Sequence, residues 1–251
     1  MKRKSSNDGM SMFQRTPFST LVKENSELAA IRRDYASRSA GKRRMAADWQ
    51  YHSEMAAEIF NSAIAMSGKE GFGKPFWPPA VVALAIDPLY APAIVTVGSI
   101  EYQLGRKEEA MHLFLLLTKL PKDEEDIVII IDKAGDFLID HDDYENALAL
   151  YTAAEKACPR ETVYIGGAGY CHGKLGHYEE AVEKHRRVNA LEPDNYKHLN
   201  DLGYSLFEAG KLDEAEEVLR RSISLAPVEY RYPHNNLNTL LKKKKRRIAS
   251  P

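Results

Sequence analysis

Four glycine–alanine pairs with one fixed gap constrain this chain more than any other feature. Gly98 precedes Ala110 by twelve residues, and the same gap separates Gly135 from Ala147, Gly169 from Ala181 and Gly203 from Ala215. The last three pairs recur with a period of 34 residues, and Pro159, Pro193 and Pro227 each follow an alanine by twelve. Seven residues after each first glycine stands Gly105, Asp142, Gly176 or Gly210. A period of this length with small residues at fixed offsets predicts stacked helical hairpins.

The pattern has a physical reading. In each unit two antiparallel helices cross, and a glycine late in the first with an alanine early in the second lets them approach closely. The residue seven places on ends the first helix in a left-handed conformation, which suits glycine and is tolerated by aspartate. Proline then stops the second helix.

In these positions the chain resembles the tetratricopeptide repeat family. Unit four carries Leu199, Leu202, Gly203, Ala215, Leu219 and Pro227; unit three carries Ile165, Ala168, Gly169, Tyr178, Ala181, His185 and Pro193. Unit two carries Ile131, Ala134, Gly135, Tyr144, Ala147, Tyr151, Ala154 and Pro159; unit one carries Ile94, Val97, Gly98, Ala110 and Phe114, with Pro121 one place early. The first interval, Gly98 to Gly135, is 37, so three residues are inserted around Lys122–Asp126. The resemblance implies an all-α, right-handed superhelical solenoid of antiparallel helix pairs over residues 91–229. Around it the sequence predicts a basic, partly disordered segment with one helix at 1–41, then N-terminal helices and a degenerate repeat at 42–90. A capping helix over Pro233–Leu241 and a basic tail fill 230–251.

Composition fits one elongated array: 251 residues, 44% of them hydrophobic. The two cysteines, Cys158 and Cys171, make no disulfide framework and point to a reducing compartment. No run of about 18 apolar residues predicts a membrane span, and the basic start Met1–Ser6 lacks the apolar stretch of a secretory signal. The expected location is cytoplasmic, or nuclear in a eukaryote.

Charge is segregated beneath a net value of −1. Residues 1–50 carry +6, residues 51–90 −2, residues 91–229 −12 and residues 230–251 +7. The last positive charge is concentrated in Lys242, Lys243, Lys244, Lys245, Arg246 and Arg247. Mutual repulsion predicts that this run is solvated and mobile. Four readings of it stay open: an import signal, a nucleic-acid contact, an anionic-lipid contact, or a solubilising end that folds back on the acidic array. The run has no aromatic residue to stack on bases, which disfavours single-strand binding.

The resemblance also implies a groove along the first helices of the hairpins. In that register Tyr102 belongs to unit one; Asp132, Asp136 and Asp140 to unit two; Tyr170 and Lys174 to unit three; and Lys197, Asn200, Tyr204 and Phe207 to unit four. The three aspartates are four apart and share one helical face. Their repulsion costs roughly 0.2–0.5 kcal/mol per pair, which a cationic partner would offset. The tyrosines and the phenylalanine supply apolar anchoring area, or else pack between repeats if the register slips by one. The matching ligand is a peptide with basic and apolar residues. A carboxylate clamp is not supported, because Val95 and Ser99 stand where Lys and Asn would be wanted.

Catalytic signatures dissolve on inspection. Gly68–Pro75 imitates a phosphate loop but ends in Pro75, which has no hydroxyl for magnesium. Cys171 and His172 are adjacent, so on a helix their side chains diverge by about 100°, and Cys171 is expected as a buried structural thiol. The run Asp140-His141-Asp142-Asp143 lacks the glycine and closing glutamate of a calcium loop and reads as a turn. No zinc spacing is present. The sequence therefore predicts a non-catalytic, cofactor-free interaction module or adaptor that holds a partner peptide in its groove. Two alternatives remain: a chaperone for secreted or aggregation-prone clients, dimerising through helices at Leu21–Ser37 and Lys42–Met66, and a nucleic-acid adaptor acting through the basic ends.

Overall fold

The computed structural model describes residues 20, 80, 83–84, 87–120 and 126–249. The phosphate-loop look-alike, the helices expected to form a dimerising arm and the insertion after Leu120 lie outside these residues, apart from Thr20 and Asp126 at their edges. All regular structure among the described residues is helical.

The chain divides into two compact units at Ile130 and Ile131. The first contains α1 (Ala91–Gln103), α2 (Lys107–Leu116) with a 3₁₀ turn at Leu117–Lys119, and the start of α3 (Ile127–Asp140). The second contains the rest of α3, then α4 (Tyr144–Ala157), α5 (Thr162–Lys174), α6 (Tyr178–Leu191), α7 (Tyr196–Glu208), α8 (Leu212–Leu225) and α9 (Tyr232–Ala249).

Each hairpin is closed by the same backbone device. Gly105, Gly176 and Gly210 adopt φ of +80°, +80° and +77°, and Asp142 adopts +55°. The next amide reaches back five residues in every case: Arg106 to Glu101, Asp143 to Leu138, His177 to His172 and Lys211 to Leu206, at 2.9–3.0 Å. That is the six-to-one bond of a Schellman motif, which satisfies a carbonyl the helix end would leave orphaned. The second helices then open on acidic residues, Glu108, Glu145, Glu179 and Asp213 among them. Negative charge there suits the positive end of the helix dipole. Asp143, Glu161 and Asn195 cap α4, α5 and α7 by accepting from backbone amides.

The repeat glycines act as sockets for large side chains. A Cβ on Gly98 would lie 2.5 Å from the Phe114 ring, one on Gly169 2.8 Å from the His185 imidazole, and one on Gly203 2.6 Å from Leu219. Gly135 stands in the same relation to Tyr151. The partner is always sixteen residues on, one helical turn past the repeat alanine. The close approach is thus glycine to a large side chain, and the alanine completes it: Ala110, Ala147, Ala181 and Ala215 are all fully buried. Tyr151 is held from two sides, because Gly167 of α5 also lacks a Cβ where that ring sits.

Burial follows the repeat. Leu202, Leu206, Leu219, Leu237 and Leu240 form one cluster with Val182 and Ala215, so α9 packs on the last hairpin. Glu155, buried on α4, receives Lys184 at 2.6 Å and Arg187 at 2.5 Å from α6. Burial alone would push its carboxyl up, but the two cations outweigh that and hold it below its ordinary value.

Two expectations change. Tyr102 is buried, with Lys107 Nζ 4.8 Å above its ring, and is not an exposed groove anchor. The basic run is not a mobile tail: α9 continues through Lys242–Arg247 to Ala249. Lys244 bridges Asp213 at 2.6 Å and Glu216 at 2.8 Å, while Lys243 lies 4.4 Å over the Phe207 ring. These contacts neutralise or cover two of the six cations, so repulsion along the run no longer decides the conformation.

Candidate functional site: the groove of the second unit

The first helices α3, α5 and α7 present one face to a groove of about 520 Å³. Asp132, Asp136 and Ile139 come from α3. Val163, Gly166, Gly167, Gly169, Tyr170, Gly173 and Lys174 come from α5. Asn200, Asp201, Tyr204, Ser205 and Glu208 come from α7. Tyr151, Tyr178 and His185 reach it from the second helices, and Asn236 from α9.

Six residues singled out in the sequence line this groove together: Asp132, Asp136, Tyr170, Lys174, Asn200 and Tyr204. Four do not. Tyr102 is buried in the first unit. Asp140 and Lys197 are exposed but outside the lining, and Phe207 packs half-buried against the leucine cluster beneath Lys243. Repeat position alone does not separate the two sets: Lys197 stands at the start of its helix and Asp140 and Phe207 near the end of theirs, while Lys174 and Glu208 line the groove from equally late positions.

The lining has a consistent character. Tyr170 and Tyr204 are 45% and 49% exposed, a large accessible area for aromatic residues on a concave wall. Gly166 and Gly173 leave the floor between them open: a Cβ on either would meet nothing closer than 3.8 Å. Around them stand the carboxylates of Asp132, Asp136, Asp201 and Glu208. Among the described residues Lys174 is the only lysine or arginine in the lining, and its Nζ lies 5.4 Å over Tyr170 and 5.6 Å over Tyr144.

The electrostatics carry the mark of crowding. The Asp136 carboxyl is pushed above its ordinary value, first by the surrounding protein and then by Asp132 and Asp140. Asp201 is also pushed up. Its side chain is open to solvent, but it stands on a concave wall with protein on most sides, and the Asn200 amide only partly compensates. Asp132 has a second role: it accepts from the Tyr151 hydroxyl at 2.8 Å, which ties the groove wall to the ring in the glycine socket. Asn236 of α9 donates to Asn200 at 2.9 Å, and Asn200 donates to Asp201 at 3.1 Å, so α9 helps fix the far wall.

Sequence reasoning missed several lining residues. Asn236 comes from the capping helix, outside the repeat. Tyr178 and His185 were visible only as repeat positions, and Gly167 only as a neighbour of the marker Gly169. In the Gly166-Gly167-Ala168-Gly169 run, residues 167 and 169 face different neighbours, Tyr151 and His185, which the repeat period does not reveal.

The Cys171 thiol is fully buried and pushed up to about 12, which keeps it from acting as a nucleophile. Among the described residues no group of His, Cys, Asp and Glu is placed to hold a metal ion. No described helix is long and apolar enough to cross a membrane.

No curated protein matches the chain. Residues 168–230 match the family model described as tetratricopeptide repeat. Among solved structures, the crystal structure of YrrB, described as a TPR protein with an unusual peptide-binding site, aligns at a TM-score of 0.50 and 16% identity. It covers 87% of this chain and 96% of YrrB. The crystal structure of MamA protein aligns at 0.50 and 14% identity, over 69% of this chain and 91% of that one. The TPR domain of Sgt2 from Aspergillus fumigatus aligns at 0.46 and 22% identity, over 52% of this chain and 87% of the domain. Residues 168–230 carry the family's motif, and the same glycine socket and hairpin closure recur in every described pair, so the described residues have the tetratricopeptide repeat fold.

Proposed function

We propose that this protein is a non-catalytic interaction module whose second unit binds an extended peptide segment of a partner protein, one with basic and apolar side chains. One observation carries the reading: accessible tyrosines, an open glycine floor and crowded carboxylates line a single groove. Tyr170, Tyr204 and Tyr178 offer flat apolar area that loses little conformational freedom on binding. Gly166 and Gly173 let a backbone approach. The Asp136 carboxyl is raised first by desolvation and then by Asp132 and Asp140, and a cationic side chain entering near it relieves that repulsion. YrrB, of the same fold, is described by its peptide-binding site, which supports a groove of this kind as the place to look.

The test is affinity capture from native lysate followed by mass spectrometry. The wild-type chain is compared with an Asp136→Lys, Tyr204→Ala variant of equal helicity. Asp132 is left intact because it anchors Tyr151. Captured proteins lost by the variant are then mapped with synthetic peptides, and the binding segment is expected to carry Lys or Arg beside apolar residues. Partners retained equally by both chains would refute the groove reading.

A further inference from the structure

We propose that the outward face of α9 is a docking surface for the phosphate backbone of duplex nucleic acid, separate from the groove. The basic run is a helix with two unlike faces. Leu237, Leu240 and Lys244 turn inward, the leucines into the core cluster and the lysine onto Asp213 and Glu216. Lys242, Lys245 and Arg246 stand at i, i+3 and i+4 on the opposite side; Arg247, three residues past Lys244, lies nearer the inward side but is exposed at the end of the helix. All four are exposed, and none takes part in an ion pair among the described residues.

Charge density decides between partners. A rise of about 1.5 Å per residue places these four cations within about 7.5 Å of helix axis, or one per roughly 2 Å. Duplex DNA carries one negative charge per about 1.7 Å. A folded acidic protein surface seldom approaches that density. A bilayer would be held by charge alone, about 1 kcal/mol per cation near an anionic surface, because the apolar face of α9 is already buried against α7 and α8. The lack of aromatic residues in the run, which disfavours single strands, is no obstacle to a duplex, whose bases are stacked inside. The acidic surface beneath would repel a polyanion. Lys244 neutralises it locally by bridging Asp213 and Glu216, and Arg220 pairs with Glu216 at 2.8 Å. The inward lysine thus frees the outward cations from cancellation by their own fold.

The experiment is fluorescence anisotropy of the full chain with a labelled 20-base-pair DNA of arbitrary sequence, from 50 to 200 mM NaCl. Four phosphate contacts give a log–log salt slope of about −3.6, an affinity loss of about 150-fold over that range. The Lys242→Gln, Lys245→Gln, Arg246→Gln, Arg247→Gln variant is expected to lose binding while keeping its helicity and melting temperature. Two further arms use the single strand of the same sequence and vesicles containing phosphatidylserine; both are expected to bind more weakly than the duplex. Any of three results overturns the proposal: no duplex binding at 50 mM, unchanged binding by the variant, or tighter binding to vesicles or single strands.

Discussion

Gly203 shows what one missing methyl group does in this fold. Its alanine variant would place Cβ 2.6 Å from Leu219, inside contact distance for a side chain locked in the core. Gly203→Ala is expected to cost about 1–3 kcal/mol by overpacking. The cost should shrink in a Leu219→Ala background, because the clash is then gone. A double-mutant cycle by urea unfolding reads the coupling; strictly additive effects would mean that Leu219 is not what the glycine accommodates. At the equivalent place in the preceding hairpin, His185 gives a pH prediction. Burial, and then the nearby His198, lower its imidazole from 6.5 to about 4. Above pH 6.5 neither folded nor unfolded chain holds the proton, and the group contributes nothing. Between 6.5 and 4 the unfolded chain takes it up and the folded chain does not, so stability falls as pH drops. The full loss below pH 4 is about 3 kcal/mol. His185→Leu, the residue type found in the next socket, is expected to remove that part of the acid sensitivity, as read from denaturant midpoints across this pH range. The small residues were legible from the period alone. Their partners sixteen residues on were visible as repeat positions, but a sequence does not say which side chain fills which gap.

At the scale of a helix, α3 carries a conflict between stability and binding. Asp136 stands one turn from Asp132 and one turn from Asp140, and its carboxyl, though exposed, is raised by the surrounding protein and by both neighbours. A carboxyl that holds its proton more tightly when folded stabilises the fold on acidification, and its charge opposes the fold at neutral pH. Asp136→Asn is therefore expected to raise stability at pH 7 by roughly 0.4–1 kcal/mol, the relief of two like-charge pairs. The same variant should weaken capture of a basic peptide. Chemical denaturation and peptide titration on one sample read both signs, and a variant that gained stability without losing affinity would remove Asp136 from the groove's function. Helix α9 marks the limit of local reading. Six successive cations look mobile when only their mutual repulsion is counted. The fold supplies Asp213 and Glu216 from 28–31 residues away, and two leucines hold the helix to the core. Neither contact is local in sequence. Tyr102 failed for the complementary reason: its register was right for a first helix, but its ring turns into the core, where periodicity does not separate the two sides.

In the molecule as a whole, repetition makes stability a matter of neighbours. Each hairpin of the second unit buries its apolar face on the next, so the last one needs something that is not a hairpin. Helix α9 supplies it, covering Leu202, Leu206 and Leu219 with Leu237 and Leu240. It also donates Asn236 to the Asn200–Asp201 pair at the groove wall. Energetic cap and binding surface are therefore joined in one element. A chain shortened to end at Arg231 loses the burial of two leucines, about 3–6 kcal/mol. It should not simply melt earlier. With the α7–α8 hairpin uncovered, unfolding is expected to begin there and spread, so the urea transition broadens and its slope falls along with the midpoint. Hydrogen exchange should quicken first in α7 and α8, while α4 and α5, sealed by Tyr151 in its two-sided socket, stay protected. Peptide affinity should fall with the loss of the Asn200 support even at low denaturant. The glutamine variant of the four exposed cations separates the two roles of the helix, since it should leave stability, cooperativity and peptide binding unchanged. If the shortened chain kept the full midpoint and slope, α9 would be a weakly docked appendage, and the leucine cluster of the last hairpin would have to be closed by something else.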